Sequence, residues 1–343
     1  MRIKLPKEFH FGHDYAFFLH DILADIVVSG EKSRIFDTKF EFKSKEHSKQ
    51  FKLIKKWDLF YWLEANGYKD VIYEIVYKQV CVAILSDFCQ FIHEALKNSE
   101  KGKLVVAYTL MRKPLKEDLL ILEWLLSEPI TFLNTFYHDD PETYSPLIIS
   151  AERKAEIIQK AICKTNKPEM LNPKFIYALR YEKSKPFSFE TLWHHGMHLV
   201  TTFNNIQTTR QNFNFIFSNN EDKYEQWKHF YSLVPFLLYY AVLLSEALVS
   251  TFAKRPESVI DLVDMQRDFG FILYVGNSSY VSNNRNFMRV VSDIKRTLTL
   301  KCPKCSKSIS FGIGNLKSFY QQLKIKCFHC NAVLQFEHGK RKM

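Results

Sequence analysis

Residues 71–96 read VIYEIVYKQVCVAILSDFCQFIHEAL. Apolar side chains at Ile72, Ile75, Val76, Val80, Ile84, Leu85, Phe88, Phe91, Ile92 and Leu96 recur mostly at separations of three and four. That is the helical period, and the apolar set covers most of the helix surface. The stretch therefore predicts a buried helix at the centre of an α-helical body.

The period continues on both sides. Upstream, Tyr15, Phe18, Leu19, Ile22, Leu23, Ile26 and Val27 share one helix face. Asp14, Asp21 and Asp25 lie opposite, and Gly30 offers a stop. Residues 52–65 read as a second helix. Downstream, residues 104–126 continue the helical pattern, with Pro114 as a kink or restart. Residues 138–146 form a loop, 151–163 a helix, and Pro168, Pro173 and Pro186 mark an irregular stretch. Residues 233–252 are the most apolar and would span about 30 Å as a helix, enough for a bilayer. Pro235, Ser245, Glu246 and Ser250 interrupt them, so a buried core helix is favoured over a membrane span. Phe213, Phe215 and Phe217 alternate with period two, which predicts a β-hairpin within 199–217. Ser218 to Asp222 then reads as a turn and helix start.

The chain divides into an N-terminal helical bundle (1–137), a second helical region (138–255), a helical connector (256–296), a cysteine-bearing module (297–338) and a basic tail (339–343). The connector contains a further helix over 287–295. The fold class is mainly α.

Composition excludes several functions. With 46% hydrophobic and 25% charged residues the chain is globular, not disordered. Only 10 glycines occur among 343 residues, and Gly312-Ile313-Gly314 is the single G-x-G. Phosphate-cradling glycine loops and the G-x-S-x-G nucleophile turn are absent. The formal charge is +11, and residues 295–343 alone, with eleven Lys and Arg against Glu337, carry +10 of it. Such asymmetry is the electrostatic footprint of a polyanion partner.

Seven cysteines are present, and no secretory signal is read at the N-terminus, which predicts a reducing, cytoplasmic setting. Cys81, Cys89 and Cys163 sit in apolar helical surroundings and read as buried hydrophobes. The other four read Cys302-Pro303-Lys304-Cys305 and Cys327-Phe328-His329-Cys330, separated by 21 residues. A C-x-x-C turn presents two sulfurs to one tetrahedral ion, and a second turn completes the shell. Short alternating strands flank both turns. With these ligands and strands, residues 297–338 resemble the zinc-ribbon family. The resemblance implies one structural Zn2+ held by Cys302, Cys305, Cys327 and Cys330, closed to catalysis.

Lysines and aromatics interleave around those cysteines. Lys301, Lys304, Lys307, Lys324 and Lys326 are assigned to phosphate neutralisation, and Phe311, Phe319, Tyr320, Phe328 and Phe336 supply the module core with one or two rings left for base stacking. The leading expectation is a nucleic-acid-binding protein, for DNA or RNA. Two alternatives stand beside it. One is a hydrolase or nuclease whose site uses His194, His198 and Arg210; Glu190, His194 and His198 are spaced by four and would share a helix face. The other is an effector that docks a protein through the module. His13-Asp14 and His20-Asp21 read as a solvated helix face.

The stretch Ala107-Tyr108-Thr109-Leu110-Met111-Arg112-Lys113-Pro114-Leu115-Lys116-Glu117-Asp118-Leu119 resembles a helix of bacterial families related to abortive-infection proteins and the HEPN helical group. That resemblance implies a helical bundle and a defence or regulatory context. Active HEPN ribonucleases carry Arg, four to six residues, then His. No Arg here stands at that spacing, so the resemblance does not extend to their mechanism. The sequence fixes no oligomeric state.

Overall fold

Helix dominates the computed structural model, which describes residues 4–202, 207–216, 218–254, 257–277, 300–309 and 311–336. In chain order come α1 (His10–Lys32), α2 (Lys45–Phe51), α3 (Leu59–Ala65), α4 (Lys69–Glu100) and α5 (Leu104–Lys113). A π-helical turn over Pro114–Asp118 joins α5 to α6 (Leu119–Ser127). Then follow α7 (Pro129–His138), α8 (Ala151–Cys163), α9 (Pro173–Tyr181), α10 (Phe189–Met197), α11 (Asn220–Ser250) and α12 (Glu257–Asn277). The C-terminal module holds β1 (Leu300–Lys301), β2 (Ser308–Ile309), α13 (Ile313–Gln322), β3 (Lys324–Lys326) and β4 (Val333–Gln335).

The most enclosed element is α11, not the stretch around residue 85. A reciprocal cap sets its start: the Asp222 N–H donates to the Asn219 side chain, and the Asn219 N–H donates to the Asp222 carboxylate. Every residue from 230 to 249 is buried, because α1, α4, α5, α6 and α12 all pack on this helix. Helix α4 buries one face against α1 and α5 and leaves Glu74, Gln79, Ala83 and Gln90 exposed. On length and composition alone, α4 and α11 are each long and apolar enough to cross a membrane.

Helix α5 ends at Lys113, and Pro114 opens the turn that follows, the restart its position suggests. It lacks the N–H that an α turn would use, and the chain widens into a π turn. Carbonyls of that turn take donors from α9. Arg180 Nε donates to Leu115 O (2.6 Å), and the Tyr181 hydroxyl donates to Lys116 O (2.7 Å). The Arg180 guanidinium also pairs with Glu123 at 2.5 Å, and both side chains are fully buried. Tyr240 on α11 donates to the same Glu123 oxygen at 2.8 Å. One ionic clamp thus ties α6, α9, α11 and the π turn together.

Two expectations change. Residues 52–65 are not one helix: α2 ends at Phe51, and a turn and a 3-10 segment, Lys56–Asp58, precede α3. The expected hairpin within 199–217 shows no strand among its described residues. Its arms are linked by Thr208 N–H to Thr201 O (2.9 Å) and Asn214 N–H to Leu199 O (2.9 Å). Gln211 and Phe215 adopt left-handed backbone, which breaks the alternation the phenylalanines suggested. The antiparallel hairpins lie in the module instead, pairing Leu300 with Ile309 and Ile325 with Leu334. Residues 203–206 and 217, residues 256 and 278–296 of the connector with its expected helix over 287–295, and the basic tail 339–343 lie outside the described residues.

Candidate metal centre and its basic face

The two module hairpins share one backbone plan. In the first, the Cys302 N–H donates to Lys307 O (2.9 Å) and the Ser306 N–H to Cys302 O (2.8 Å). In the second, the Cys327 N–H donates to Ala332 O and the Asn331 N–H to Cys327 O, both 2.8 Å. Each turn requires left-handed backbone just after its second cysteine, at Ser306 (φ 60°) and Asn331 (φ 58°). Asparagine accepts that conformation readily; serine does so at some cost.

The paired turns bring four sulfurs together. Cys302 and Cys330 Sγ are 3.6 Å apart, Cys305 and Cys327 Sγ 3.7 Å, and all four lie within 4.8 Å of one another. Sulfurs bound at about 2.3 Å to one tetrahedral ion stand about 3.8 Å apart. The four residues can therefore hold a metal ion without any other ligand. Burial opposes ionisation of Cys327, but the N–H groups of Cys330 and His329 outweigh it and hold its thiol down to about 7, whereas at Cys330 the Ala332 N–H is outweighed by burial and the neighbouring sulfurs, which push that thiol up to about 11. Among the described residues this is the one cluster of three or more His, Cys, Asp or Glu side chains able to hold a metal ion.

Around this cluster, Lys301, Lys304, Lys307 and Lys326 are exposed and Lys324 is half-buried. None of the five forms an ion pair with another described residue. The aromatic residues divide differently from the expectation. Helix α13, which the spacing of the cysteines did not reveal, turns Phe319 and Tyr320 toward the body. Phe269 of α12 meets Phe311 at 5.2 Å and Phe319 at 5.0 Å. Tyr320 packs on Phe11, Tyr15 and Phe18 of α1, and Gln266 Nε2 donates to its carbonyl at 2.6 Å. Gly270 lies at this seam. A Cβ there would come within 2.5 Å of the Tyr15 ring and 2.8 Å of the Tyr320 ring, so only glycine admits the approach. Phe336 packs on Phe319. Phe328, 60% exposed on the second turn, is the ring left free to stack.

The histidine set assembles less than its spacing suggested. Glu190 is buried and saturated: Lys116 Nζ donates to both its oxygens at 2.7 Å, and His194 Nε2 donates to it at 3.2 Å. His198 caps α10 in extended backbone and is exposed, yet its N–H donates to His194 O at 3.1 Å and its ring stacks on that of His194 at 6.2 Å. Gly196 lets α10 approach Thr109 on α5, where a Cβ would meet the hydroxyl at 2.9 Å. Arg210 is exposed in the turn preceding Gln211. A cleft of about 690 Å3 lies beside α10, lined by Lys183, Lys185, Phe213, Glu225 and His229 among others, and neither His194, His198 nor Arg210 lines it. His229 donates from Nε2 to Phe187 O at 3.0 Å, and burial lowers its pKa to about 4, so it stays neutral.

No family model, curated protein or solved structure matches this chain. The likeness of residues 107–119 to abortive-infection and HEPN helices thus has no family match behind it.

Proposed function

We propose that this protein binds nucleic acid through the basic face of a zinc-bearing ribbon module. Zinc suits the donor set: four thiolates in tetrahedral array leave no open position, so the ion braces the two turns and does no chemistry. Zn2+ with four thiolates carries −2, which the surrounding lysines more than offset. The observation that carries the reading is the set of unpaired lysines, Lys301, Lys304, Lys307 and Lys326, exposed around the sulfur cluster. Phe328 adds a ring for an unstacked base.

Fluorescence anisotropy with labelled single-stranded DNA, duplex DNA and RNA tests this. Affinity should fall with log salt by roughly 0.7–0.9 per phosphate contacted. Lys304→Gln, Lys307→Gln and Lys326→Gln should each lower that slope by about one contact. Salt-independent binding, or unchanged slopes in the variants, overturns the reading. A second reading, protein docking, is favoured by Ile313 and Val333, which are 70% and 60% exposed on the same module. A partner that co-purifies after nuclease treatment, with no affinity for any of the three oligonucleotides, would support it.

A further inference from the structure

The three most exposed large apolar side chains among the described residues are Leu53 (84%), Tyr61 (78%) and Trp57 (77%). All three fall at every fourth position across the connection from α2 into α3. Apart from Phe60, 36% exposed, their apolar neighbours turn inward. Phe51, Ile54 and Leu59 pack against the core, and Trp62 and Leu63 are buried. Phe51 meets Phe42 and Trp62 edge-on, and Trp62 Nε1 donates to Gln50 at 3.3 Å. The loop is braced from behind, so the outward set is presented on a fixed support.

Cations alternate with it along the chain. Lys49, Lys52, Lys55 and Lys56 are exposed, and none is ion-paired to a described residue. Lys55 Nζ lies 5.4 Å over the Trp57 ring. Asp58 is the single acid between residues 47 and 63. An exposed leucine, tryptophan and tyrosine interspersed along the chain with exposed lysines match the needs of an anionic bilayer interface. The aromatic rings sit at headgroup level, the leucine enters the acyl boundary, and the lysines meet lipid phosphates. A nucleic acid would use the rings and lysines but would leave Leu53, the most exposed of the three, with nothing apolar to bury against.

We propose that the 49–61 loop docks this protein peripherally on an anionic phospholipid surface. The proposal rests on residues other than those of the ribbon module and stands apart from its reading. Each lysine near such a surface raises partitioning by roughly fivefold. Trp57 provides the readout, because Trp62, Trp124, Trp193 and Trp227 are already buried.

The test uses the full chain with phosphatidylcholine vesicles, with and without phosphatidylserine. The protein should sediment with the anionic vesicles and shift its tryptophan emission to the blue on adding them. Leu53→Ser/Trp57→Ser/Tyr61→Ser should lose at least about tenfold in partitioning. Lys49→Gln/Lys52→Gln/Lys55→Gln/Lys56→Gln should lose the preference for phosphatidylserine. Both variants should keep the parent's melting temperature and oligonucleotide affinity. Absence of sedimentation with anionic vesicles, equal binding to neutral ones, or full binding by either variant overturns the proposal. Loss of oligonucleotide affinity without vesicle binding by the parent assigns the loop to nucleic acid and overturns it equally.

Discussion

His229 and Asp118 are both buried and titrate away from their ordinary ranges in opposite senses. Burial lowers His229 to about 4. Between about pH 6.5 and 4 the unfolded chain binds a proton that the folded chain refuses, so acidification through that window removes up to about 3 kcal/mol of stability. Burial, with Asp87 beside it, raises Asp118 to about 7. There the folded chain holds the extra proton between about pH 4 and 7, so stability falls as pH rises through that range. Melting scans from pH 4 to 8 check both signs. His229→Gln should lose less stability than the parent on acidification. Asp118→Asn should gain about 2 kcal/mol over the parent at pH 8 and little at pH 4. The reverse order would refute the assignment. At this scale the cysteine cluster was legible because its spacing is local to two short turns. Histidines were not: His20 looked like a solvated residue, yet it is buried and donates to Cys89 O at 3.1 Å, a partner supplied by a distant helix. Cys163, expected inside, is exposed.

The module hairpins are two or three residues long, and a sheet of that size has too little apolar area to hold itself. A metal ion in the cysteine cluster, as proposed above, would supply much of its stability. Chelation should therefore abolish oligonucleotide binding and collapse near-ultraviolet circular dichroism, because Phe311, Phe319, Tyr320 and Phe336 lose their fixed surroundings. Far-ultraviolet helicity should fall by little more than the share of α13. Retained near-ultraviolet signal after metal removal would contradict this. Elements with strong periods, such as α8 and the start of α11, were readable from sequence. Helix α13 was not read, although Leu316, Phe319 and Tyr320 stand at i, i+3 and i+4, because so short a helix lies between two runs that alternate as strands. The phenylalanines within 213–217 misled for a related reason: alternation predicts a strand only where a partner strand exists to pair with it.

Among the described residues nearly all the buried apolar side chains join into one cluster from Leu5 to Cys327. The Arg180–Glu123 clamp is the polar knot within it. Arg180→Met strands a buried carboxylate and should cost about 3–5 kcal/mol, whereas Arg180→Met/Glu123→Leu should recover most of that loss. Denaturant midpoints of the two variants decide the matter; equal losses would show that the pair is not the clamp. Neither the clamp nor the docking of α13 on α1 and α12 could be foreseen from a single chain, because both depend on contacts between residues far apart in sequence. The charge asymmetry, by contrast, needed only counting.

The seam at Gly270 leaves no room for a methyl group between two tyrosine rings, so the thiolate knot and the first helix share a wall. If the cluster holds the metal proposed for it, loss of that ion would strip the wall and turn Phe269, Phe319 and Tyr320 toward water, a sticky surface of the kind that chaperones and proteases recognise. A cell short of the metal would then hold less of this protein, rather than an idle stock of it.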